Sequence, residues 1–190
     1  MDNRPIAVYD ANVLYPAQLR DLLMRLAIHD VVRPHWSEQI HDEWMRNVHA
    51  DYDDVTWGDL EHTRRQMDKA LPDACVEGYQ NRISNLSLPD PDDRHVLAAA
   101  VHIGADYIVT FNLEDFPESE LDSYGIEAID PDTFACLLMS RREGRVIHAA
   151  SQHRNSLRHP PLSPDEYLAV LRNAGLTETA QRLQSNKKRL

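Results

Sequence analysis

The chain has 190 residues, of which 42% are hydrophobic and 27% charged, and this composition indicates a folded globular protein instead of a disordered one. Its apolar runs fall far short of the roughly 20 residues that cross a bilayer, and no charged-then-apolar leader opens it, so we expect a cytoplasmic protein without a membrane partner. Cys75 and Cys136 lack the spacing of a zinc motif or a disulfide framework, so both are expected in the core.

The charge is distributed unevenly along the chain. The net charge of −11 argues against non-specific binding of nucleic acid, but residues 1–140 carry 27 acidic and 10 basic residues whereas residues 141–190 carry 4 and 10. This shift predicts an acidic main domain over 1–140 and a basic extension over 141–190. The extension is either a solvated helical appendage or a segment that binds a phosphate backbone, and the sequence leaves both interpretations open.

Hydrophobic periodicity in the first half of the chain predicts one strand and three helices. They are a β-prone strand at 6–9 and helices at about 16–29, 37–50 and 56–71. Ser37 is the expected N-cap of the second helix. Thr56 with Asp59 forms a partial capping box for the third, which Pro72 ends. Residues 83–88 fit a short strand or an extended connection equally well.

The second half alternates strands with helices and then becomes entirely helical. Asp90 is the expected N-cap and Pro91 the first residue of an alanine-rich helix that Gly104 ends. Ser163 with Glu166 forms a capping box further on. The remaining segments are strands at 106–110 and 126–129, and helices at about 131–142, 146–157, 163 onward and 177 onward, with a break at 159–161. The alternation predicts an α/β fold with a mostly parallel sheet flanked by helices, plus an all-helical C-terminal extension.

Several acidic side chains follow predicted strands or open predicted helices. In an α/β sheet, sites form beyond the carboxyl ends of the strands. The candidates for such a site are Asp10, Glu43, Asp92, Asp93, Asn112 and Asp115. Clustered carboxylates repel one another unless a cation neutralises them, and oxygen ligands without Cys or His suit Mg²⁺ or Mn²⁺. Two such ions can cut a phosphodiester without a protein nucleophile, so the pattern predicts metal-dependent phosphoryl chemistry.

Each candidate also has a purely structural interpretation. Asp10 could begin a turn, and Glu43 could be an exposed helical carboxylate. Acids are favoured in a first helical turn whatever the function, so we assign helix capping to Asp90. His95 is more often a packed or surface histidine than a ligand. Residue spacing alone therefore leaves the carboxylate site open.

Four blocks of the sequence, taken in order, form a recognisable set. They are Asp10-Ala11-Asn12-Val13-Leu14, Glu43, Asp92-Asp93-Arg94-His95-Val96-Leu97-Ala98-Ala99-Ala100, and Thr110-Phe111-Asn112-Leu113-Glu114-Asp115-Phe116. Over about residues 5–140 the chain resembles the PIN-domain nucleases, and most closely the VapC-like toxins of bacterial toxin–antitoxin systems. The resemblance implies a three-layer fold, Mg²⁺- or Mn²⁺-dependent endoribonuclease activity on RNA, homodimerisation, and inhibition by a small cognate antitoxin.

The resemblance also implies which residues bind metal. Asp10, Glu43 and Asp93 match the family's metal-binding and catalytic acids. Asp92 is adjacent to Asp93, so that choice depends on the phase of the helix. The basic extension lies outside the common core of the family, and its role stays open among RNA contact, covering of the antitoxin groove and extension of a dimer interface.

The fourth acid of the family's pattern is where this chain departs. The family often places an aspartate two residues after the strand-ending Thr110, and here that position is Asn112. Asp115 is the next carboxylate in reach, so we expect it to complete the catalytic set. Thr110 is expected to hydrogen-bond the carboxylates or the substrate phosphate. Asn112 is expected to contact the substrate, and Asn112 or Asp115 to orient water or to bind a second ion weakly.

The leading hypothesis is a ribonuclease toxin that cleaves RNA through metal-activated water and is neutralised by an antitoxin. The alternative is a catalytically silent PIN scaffold that binds RNA or protein, which the neutral Asn112 supports. A phosphatase with Asp10 as nucleophile is a weaker third hypothesis, because Asn12 stands where such chemistry needs a general acid.

Overall fold

A computed structural model describes residues 3–158 and 160–190, and a parallel β-sheet forms the centre of this part of the chain. Its strands are β1 (Ile6–Tyr9), β2 (Arg33–Ser37), β3 (Cys75–Val76), β4 (Tyr107–Val109) and β5 (Glu127–Ile129). They lie in the order β3-β2-β1-β4-β5, and every neighbouring pair is parallel. The predicted α/β fold with a parallel sheet is confirmed.

The register of the sheet brings the ends of three strands together. Tyr9 pairs with Val109, and Val109 pairs with Ile129. The residues that follow these three, Asp10, Thr110 and Asp130, therefore leave the same edge side by side. Because the strands are parallel, this is the edge where a site is expected.

Helices flank the sheet on the way between the strands and after the last one. They are α1 (Ala11–Leu14), α2 (Ala17–Ile28), α3 (Glu38–Asp51), α4 (Trp57–Ala70), α5 (Arg94–Ile103), α6 (Glu118–Leu121), α7 (Pro131–Ser156), α8 (Pro164–Asn173) and α9 (Thr177–Gln184). Within the described ranges, no helix is both long and apolar enough to cross a membrane.

Local sequence signals position the ends of these helices. The Ser37 hydroxyl accepts from the Ile40 backbone N–H at 3.2 Å, and Thr56 with Asp59 forms a complete capping box. Gly104 ends α5 in the left-handed conformation with φ of 64°. These predicted helix boundaries are confirmed.

The alanine-rich helix α5 packs closely on the strands that carry the site. Residues 98–100 are completely buried, and α5 contacts β1, β2 and β4. Side chains this small let a helix approach a sheet closely. A larger side chain at any of these three positions would therefore push α5 away from the sheet. The N-terminal end of α5 is thereby held near the ends of β1 and β4.

The C-terminal helices share a core with the rest of the molecule. α7 contains a non-helical residue, Arg142, so its two parts correspond to the separate helices that the sequence predicts. Leu168, Leu171 and Leu183 are fully buried, and α9 and α8 pack against α7 and α2. A helical extension is confirmed, while the boundary after residue 140 stays a prediction. The predicted break at 159–161 begins at His159, which lies outside the described residues.

Two features of the sheet region differ from the sequence prediction. The strand β2 has the sequence Arg-Pro-His-Trp-Ser, which contains a proline and only one strongly β-prone residue, and β3 has two residues, so neither gave a strand signal. A strand or extended segment from residue 83 was wrong for its first part, because Gln80–Asn85 is a 3-10 helix packed on α5. Only residues 86–88 are extended.

Candidate active site

Asp10 is the buried centre of the candidate site and the N-cap of α1. Its side chain is only 5% exposed, with Oδ1 accepting from the Ala11 backbone N–H at 2.6 Å and Oδ2 from the Thr110 hydroxyl at 2.7 Å. Burial raises the pKa of Asp10, and the hydrogen bonds from Thr110 and Ala11 counteract it. The charge of Glu43 raises this pKa further, and that of His95 lowers it.

Asn12 connects the two strand ends of the site. Its Nδ2 donates to Oδ2 of Asp10 at 2.7 Å and to the Thr110 hydroxyl at 2.9 Å, and its Oδ1 accepts from the Phe111 backbone N–H at 3.1 Å. Three groups from β1, α1 and β4 are thus bound in one network. Because an amide cannot act as a general acid, the phosphatase hypothesis gains no support from this position.

Asp93 lies at the start of α5 and faces the same centre. It is half-buried, and burial raises its pKa, as do the negative charges of Asp10, Asp115 and Asp90. Together these effects raise the pKa of Asp93 to about 7, against a small lowering by His95. The charges of Asp10 and Asp115 act on Asp93, so these three carboxylates lie close to one another.

Asp90 and Asp92 occupy different positions from Asp93. The side chain of Asp90 accepts from the Asp92 backbone N–H at 2.8 Å, so the predicted cap at Asp90 is confirmed. Asp92 is exposed, whereas Asp93 is half-buried and lies close enough to Asp10 for that charge to raise the pKa of Asp93. The structure therefore brings Asp93 of this pair to the cluster.

Glu43 reaches the site from α3 beside a buried histidine. Its Oε1 lies 2.8 Å from Nε2 of His95, whose side chain is 2% exposed, and 3.4 Å from Nε2 of Gln39. Nε2 of His95 is not aligned for a hydrogen bond to Glu43, and Nδ1 of His95 has no hydrogen-bond partner within the described part of the chain. The contact is therefore an electrostatic one, and it holds the two side chains between α3 and α5.

Asn112 and Asp115 lie in the segment after β4, at the rim. The Asn112 backbone N–H donates to the Thr110 hydroxyl at 3.0 Å, while its side chain is exposed. Asp115 is half-buried at the end of a 3-10 helix, and its charge acts on Asp93. Both are near the cluster, in the positions where the sequence predicts them.

Oxygen donors make the cluster chemically suited to a hard divalent cation. Asp10, Glu43, Asp93 and Asp115 offer carboxylates only, and no lysine or arginine is among the charges that act on Asp10 and Asp93. Within the described residues, no three His, Cys, Asp or Glu side chains converge closely enough to hold one ion as they stand. The donor set fits Mg²⁺ or Mn²⁺ by its chemistry, and the four side chains have to move together to bind it.

Two contributors to the site were missed in the sequence. Asn12 had been noted only as part of a motif, because its partners Thr110 and Phe111 lie 98 and 99 residues away. The sequence predicts that His95 is a packed or surface histidine and not a ligand; the side chain is buried, and its contact with Glu43 has no signal in the residue spacing. The role of Asn12 could have been predicted only if β1 and β4 had been predicted to be neighbours.

Comparison with known families identifies this arrangement. The sequence profile described as "PIN domain" matches residues 7–114, which is more than half of the chain and includes Asp10, Glu43 and Asp93, while Asp115 lies one residue beyond it. The chain belongs to the PIN domain family. Membership of this family agrees with the parallel sheet flanked by helices.

The C-terminal helices of this PIN-domain chain have a family match of their own. The profile described as "VapC50 C-terminal domain" matches residues 131–185. The chain is also 57% identical over 101 residues to the "Putative ribonuclease VapC50" of Mycobacterium tuberculosis (strain ATCC 25618 / H37Rv). That alignment covers 53% of this chain and 59% of the relative. No solved structure gives a significant match.

Proposed function

We propose that this chain is a metal-dependent endoribonuclease, the toxin of a toxin–antitoxin pair. The observation that carries the proposal is the cluster of Asp10, Asp93 and Asp115 at the carboxyl edge of a PIN-domain sheet, with mutual repulsion that raises the pKa of Asp93. The name of the relative, a ribonuclease, supports the same class of reaction. RNA is the proposed substrate.

Asp10, Glu43 and Asp93 are the proposed metal ligands. A bound Mg²⁺ or Mn²⁺ would supply an activated water and neutralise charge on the scissile phosphate. Thr110 and Asn12 fix Oδ2 of Asp10 by donating hydrogen bonds to it. This leaves the carboxylate oriented before anything binds, which is the role that partners of metal ligands have in general.

Two other residues complete the proposed machinery at its rim. Asp115 is the fourth acid and acts on Asp93 through its charge. The exposed side chain of Asn112 is placed to contact substrate or water. His95 holds Glu43 in place between α3 and α5 by the contact at 2.8 Å.

The remaining features of the proposal concern partners and organisation. A cognate antitoxin would inhibit the chain, which would act in the cytoplasm and form a homodimer. Residues 1–140 would form the nuclease domain and residues 141–190 a basic extension. Size-exclusion chromatography with light scattering would test the dimer, and a shift of the peak on adding the antitoxin would test the inhibitory complex.

A comparison of two neighbouring acids tests the site. Asp93→Asn should abolish RNA cleavage by removing a proposed ligand, whereas Asp92→Asn, a change of an exposed carboxylate one residue earlier, should retain it. Asp10→Asn should behave as Asp93→Asn. Circular dichroism and thermal unfolding check that all variants are folded. Full cleavage by a folded Asp93→Asn variant would contradict the assigned site.

A catalytically silent PIN scaffold is the second candidate function. Two observations favour it: the neutral Asn112 at the position of the fourth acid, and carboxylates that do not converge on one point within the described residues. Calorimetric titration with Mn²⁺ separates the two candidates. A nuclease should bind the ion with loss of affinity in Asp93→Asn, and a silent scaffold should show no binding that depends on Asp93.

A further inference from the structure

Phe111 is a large apolar side chain exposed at the edge of the candidate site. It lies directly between Thr110 and Asn112, and 42% of it is exposed to solvent. Its backbone N–H is held by Oδ1 of Asn12, the same side chain that donates to Asp10. The hydrogen bond to Asn12 therefore fixes the backbone of Phe111 next to Asp10.

The C-terminal extension reaches this ring. Gly175, in the turn between α8 and α9, has φ of 86°, and a Cβ added there would lie 3.3 Å from Cε1 of Phe111. A side chain at position 175 would press on the ring, so glycine at this point allows the turn to lie close against it. The turn thus supports Phe111 from one side.

A second contact fixes the same turn at this edge of the sheet. Asp132, at the start of α7, accepts from the backbone N–H groups of Glu178 at 2.7 Å and Thr179 at 2.8 Å. These are orphan donors of the first turn of α9, which an aspartate satisfies well. Because α7 begins directly after β5, the N-terminal end of α9 is anchored beside the strand ends that carry the site.

A positive charge without a partner in the described residues lies three residues before Gly175. Arg172, in the last turn of α8, is exposed and forms no ion pair or side-chain hydrogen bond within residues 3–158 and 160–190. By contrast, Arg182 pairs with Glu178, and Lys187 pairs with Asp165. A cation without a protein partner is available to a phosphate, whereas the paired cations are already neutralised.

We propose that Phe111 is a stacking platform for an unpaired nucleobase next to the scissile phosphate, with the α8–α9 turn as its support and Arg172 as a phosphate contact. This inference rests on the proposed function and adds a residue that would position the RNA at the site. A base paired in an A-form helix is stacked on both faces and cannot lie on a protein ring, whereas an unpaired base can. Gly175 is a positioning residue in this arrangement.

Binding of a labelled RNA measures the platform independently of cleavage. The probe is a pool of randomised, unpaired 15-nucleotide RNA with a 5′ fluorophore, and every protein carries Asp93→Asn so that the RNA stays intact. Fluorescence anisotropy at low salt gives the affinity of the full chain. A duplex of the same length serves as the paired control.

Four variants separate stacking from general apolar contact. Phe111→Ala should weaken binding of the unpaired pool on the order of 5- to 150-fold, the range for loss of one base–aromatic stack. Phe111→Tyr should restore it. Tyr124→Ala, which removes another exposed aromatic ring, should leave it unchanged. Gly175→Ala should weaken it in the same direction because its Cβ displaces the ring.

The kinetics of the active chain add a readout that a structural role would not produce. With Asp93 intact, Phe111→Ala should raise KM for an unpaired RNA cut site and leave kcat within a few fold, because a lost stack weakens binding of ground and transition state alike. A large fall in kcat with unchanged KM would show that Phe111 maintains the structure of the site and does not bind a base, which would contradict the proposed stacking role.

The outcomes distinguish this inference from the proposed function. If the unaltered chain cleaves RNA but Phe111→Ala binds RNA as tightly as the chain with Phe111, the stacking role is wrong while the nuclease stands. The exposed ring would then be a contact for a protein partner. Phe111-dependent binding without cleavage under any metal would support the platform and overturn the nuclease. An unaltered chain that binds no unpaired RNA, or binds the duplex equally well, would overturn the platform.

Discussion

At the scale of single residues, the site is organised around one buried carboxylate. Asp10 accepts hydrogen bonds from Ala11, Asn12 and Thr110, and these donors offset part of the cost of burying its charge. Removing one of them leaves a buried acceptor poorly satisfied, which is the costly case for a polar group. The network therefore contributes to stability as well as to the orientation of a proposed ligand.

The hydroxyl of Thr110 can be removed with almost no change of shape. Thr110→Val should lower the free energy of unfolding by about 1.5–3 kcal/mol, the value of a hydrogen bond to a charged group. It should also lower metal affinity or cleavage on the order of 10- to 100-fold, as loss of a partner of a metal ligand does. Chemical denaturation and a cleavage assay measure both.

The matched control keeps the hydroxyl. Thr110→Ser preserves the donor to Asp10 and should keep most of the activity, at a small cost in packing. Equal activity of the valine and serine variants would show that the hydrogen bond to Oδ2 does not matter.

The sequence predicted the acids of the site better than the groups that hold them. A strand end and a helix start are local signals that made Asp10 and Asp93 candidates, while the preference for Asp93 over Asp92 came from the family resemblance. The network through Asn12 and Thr110 depends on which strands are neighbours, and that is a property of the whole sheet. The contact between His95 and Glu43 likewise depends on the packing of α5 on α3.

At the scale of elements, the extension docks through the start of α9. Asp132 on α7 takes the place of an N-cap for α9, since Leu176 at that position offers no side-chain acceptor. The favourable interaction of a carboxylate with a helix N-terminus adds to the two hydrogen bonds. One side chain thus joins the end of the sheet to the extension.

Removal of that carboxylate should loosen α9. Asp132→Ala should lower the free energy of unfolding by about 1–2 kcal/mol, a typical cost for loss of a cap. Hydrogen exchange should increase first in α9, at the amides of Glu178 and Thr179. Asp122→Ala, which removes an exposed acid without a side-chain hydrogen bond in the described structure, should change stability by less than about 0.5 kcal/mol.

Equal hydrogen-exchange rates in α9 for the Asp132→Ala and Asp122→Ala variants would show that Asp132 does not anchor the helix.

The helix boundaries could be predicted from the sequence, because Ser37, Thr56 and Gly104 are strong local cap signals. The strands β2 and β3 could not, since one contains proline and histidine and the other has two residues. Their strand geometry comes from pairing with β1 and not from propensity.

At the scale of the whole molecule, the extension is a structural part of the fold. Its buried leucines and the packing of α7 and α8 on α2 mean that deleting residues 141–190 would expose a core. Surface substitutions are therefore the better test of its charge. Part of its positive charge is already paired, at Arg145, Arg182 and Lys187, so the net charge of the segment overstates what is free to bind phosphate.

A buried histidine at the junction of the extension makes stability depend on pH. His153 on α7 lies 3.1 Å from the Tyr167 hydroxyl and 3.6 Å from Asp21, with Arg25 nearby. Burial lowers the pKa of His153 to about 4, while the charge of Asp21 counteracts this. The unfolded chain has the ordinary histidine pKa of about 6.5, so it takes up a proton first as the pH falls.

The sign of the effect follows from that difference in pKa. The contribution of His153 is fully present above about pH 6.5 and is lost as the pH falls toward 4. The melting temperature should decline over this window, and His153→Gln should reduce the slope of the decline. His62→Gln, which changes an exposed histidine, should not. Identical slopes for both variants would remove His153 as the cause.

The central claim is that the carboxylate cluster cuts RNA with the help of a divalent ion. The most direct measurement is incubation of the purified, antitoxin-free chain with total cellular RNA in Mn²⁺, in Mg²⁺ and in EDTA, followed by sequencing of the fragment ends. We predict discrete fragments with either or both ions and none in EDTA. Intact RNA in every condition, or the same fragments in EDTA, would contradict the account.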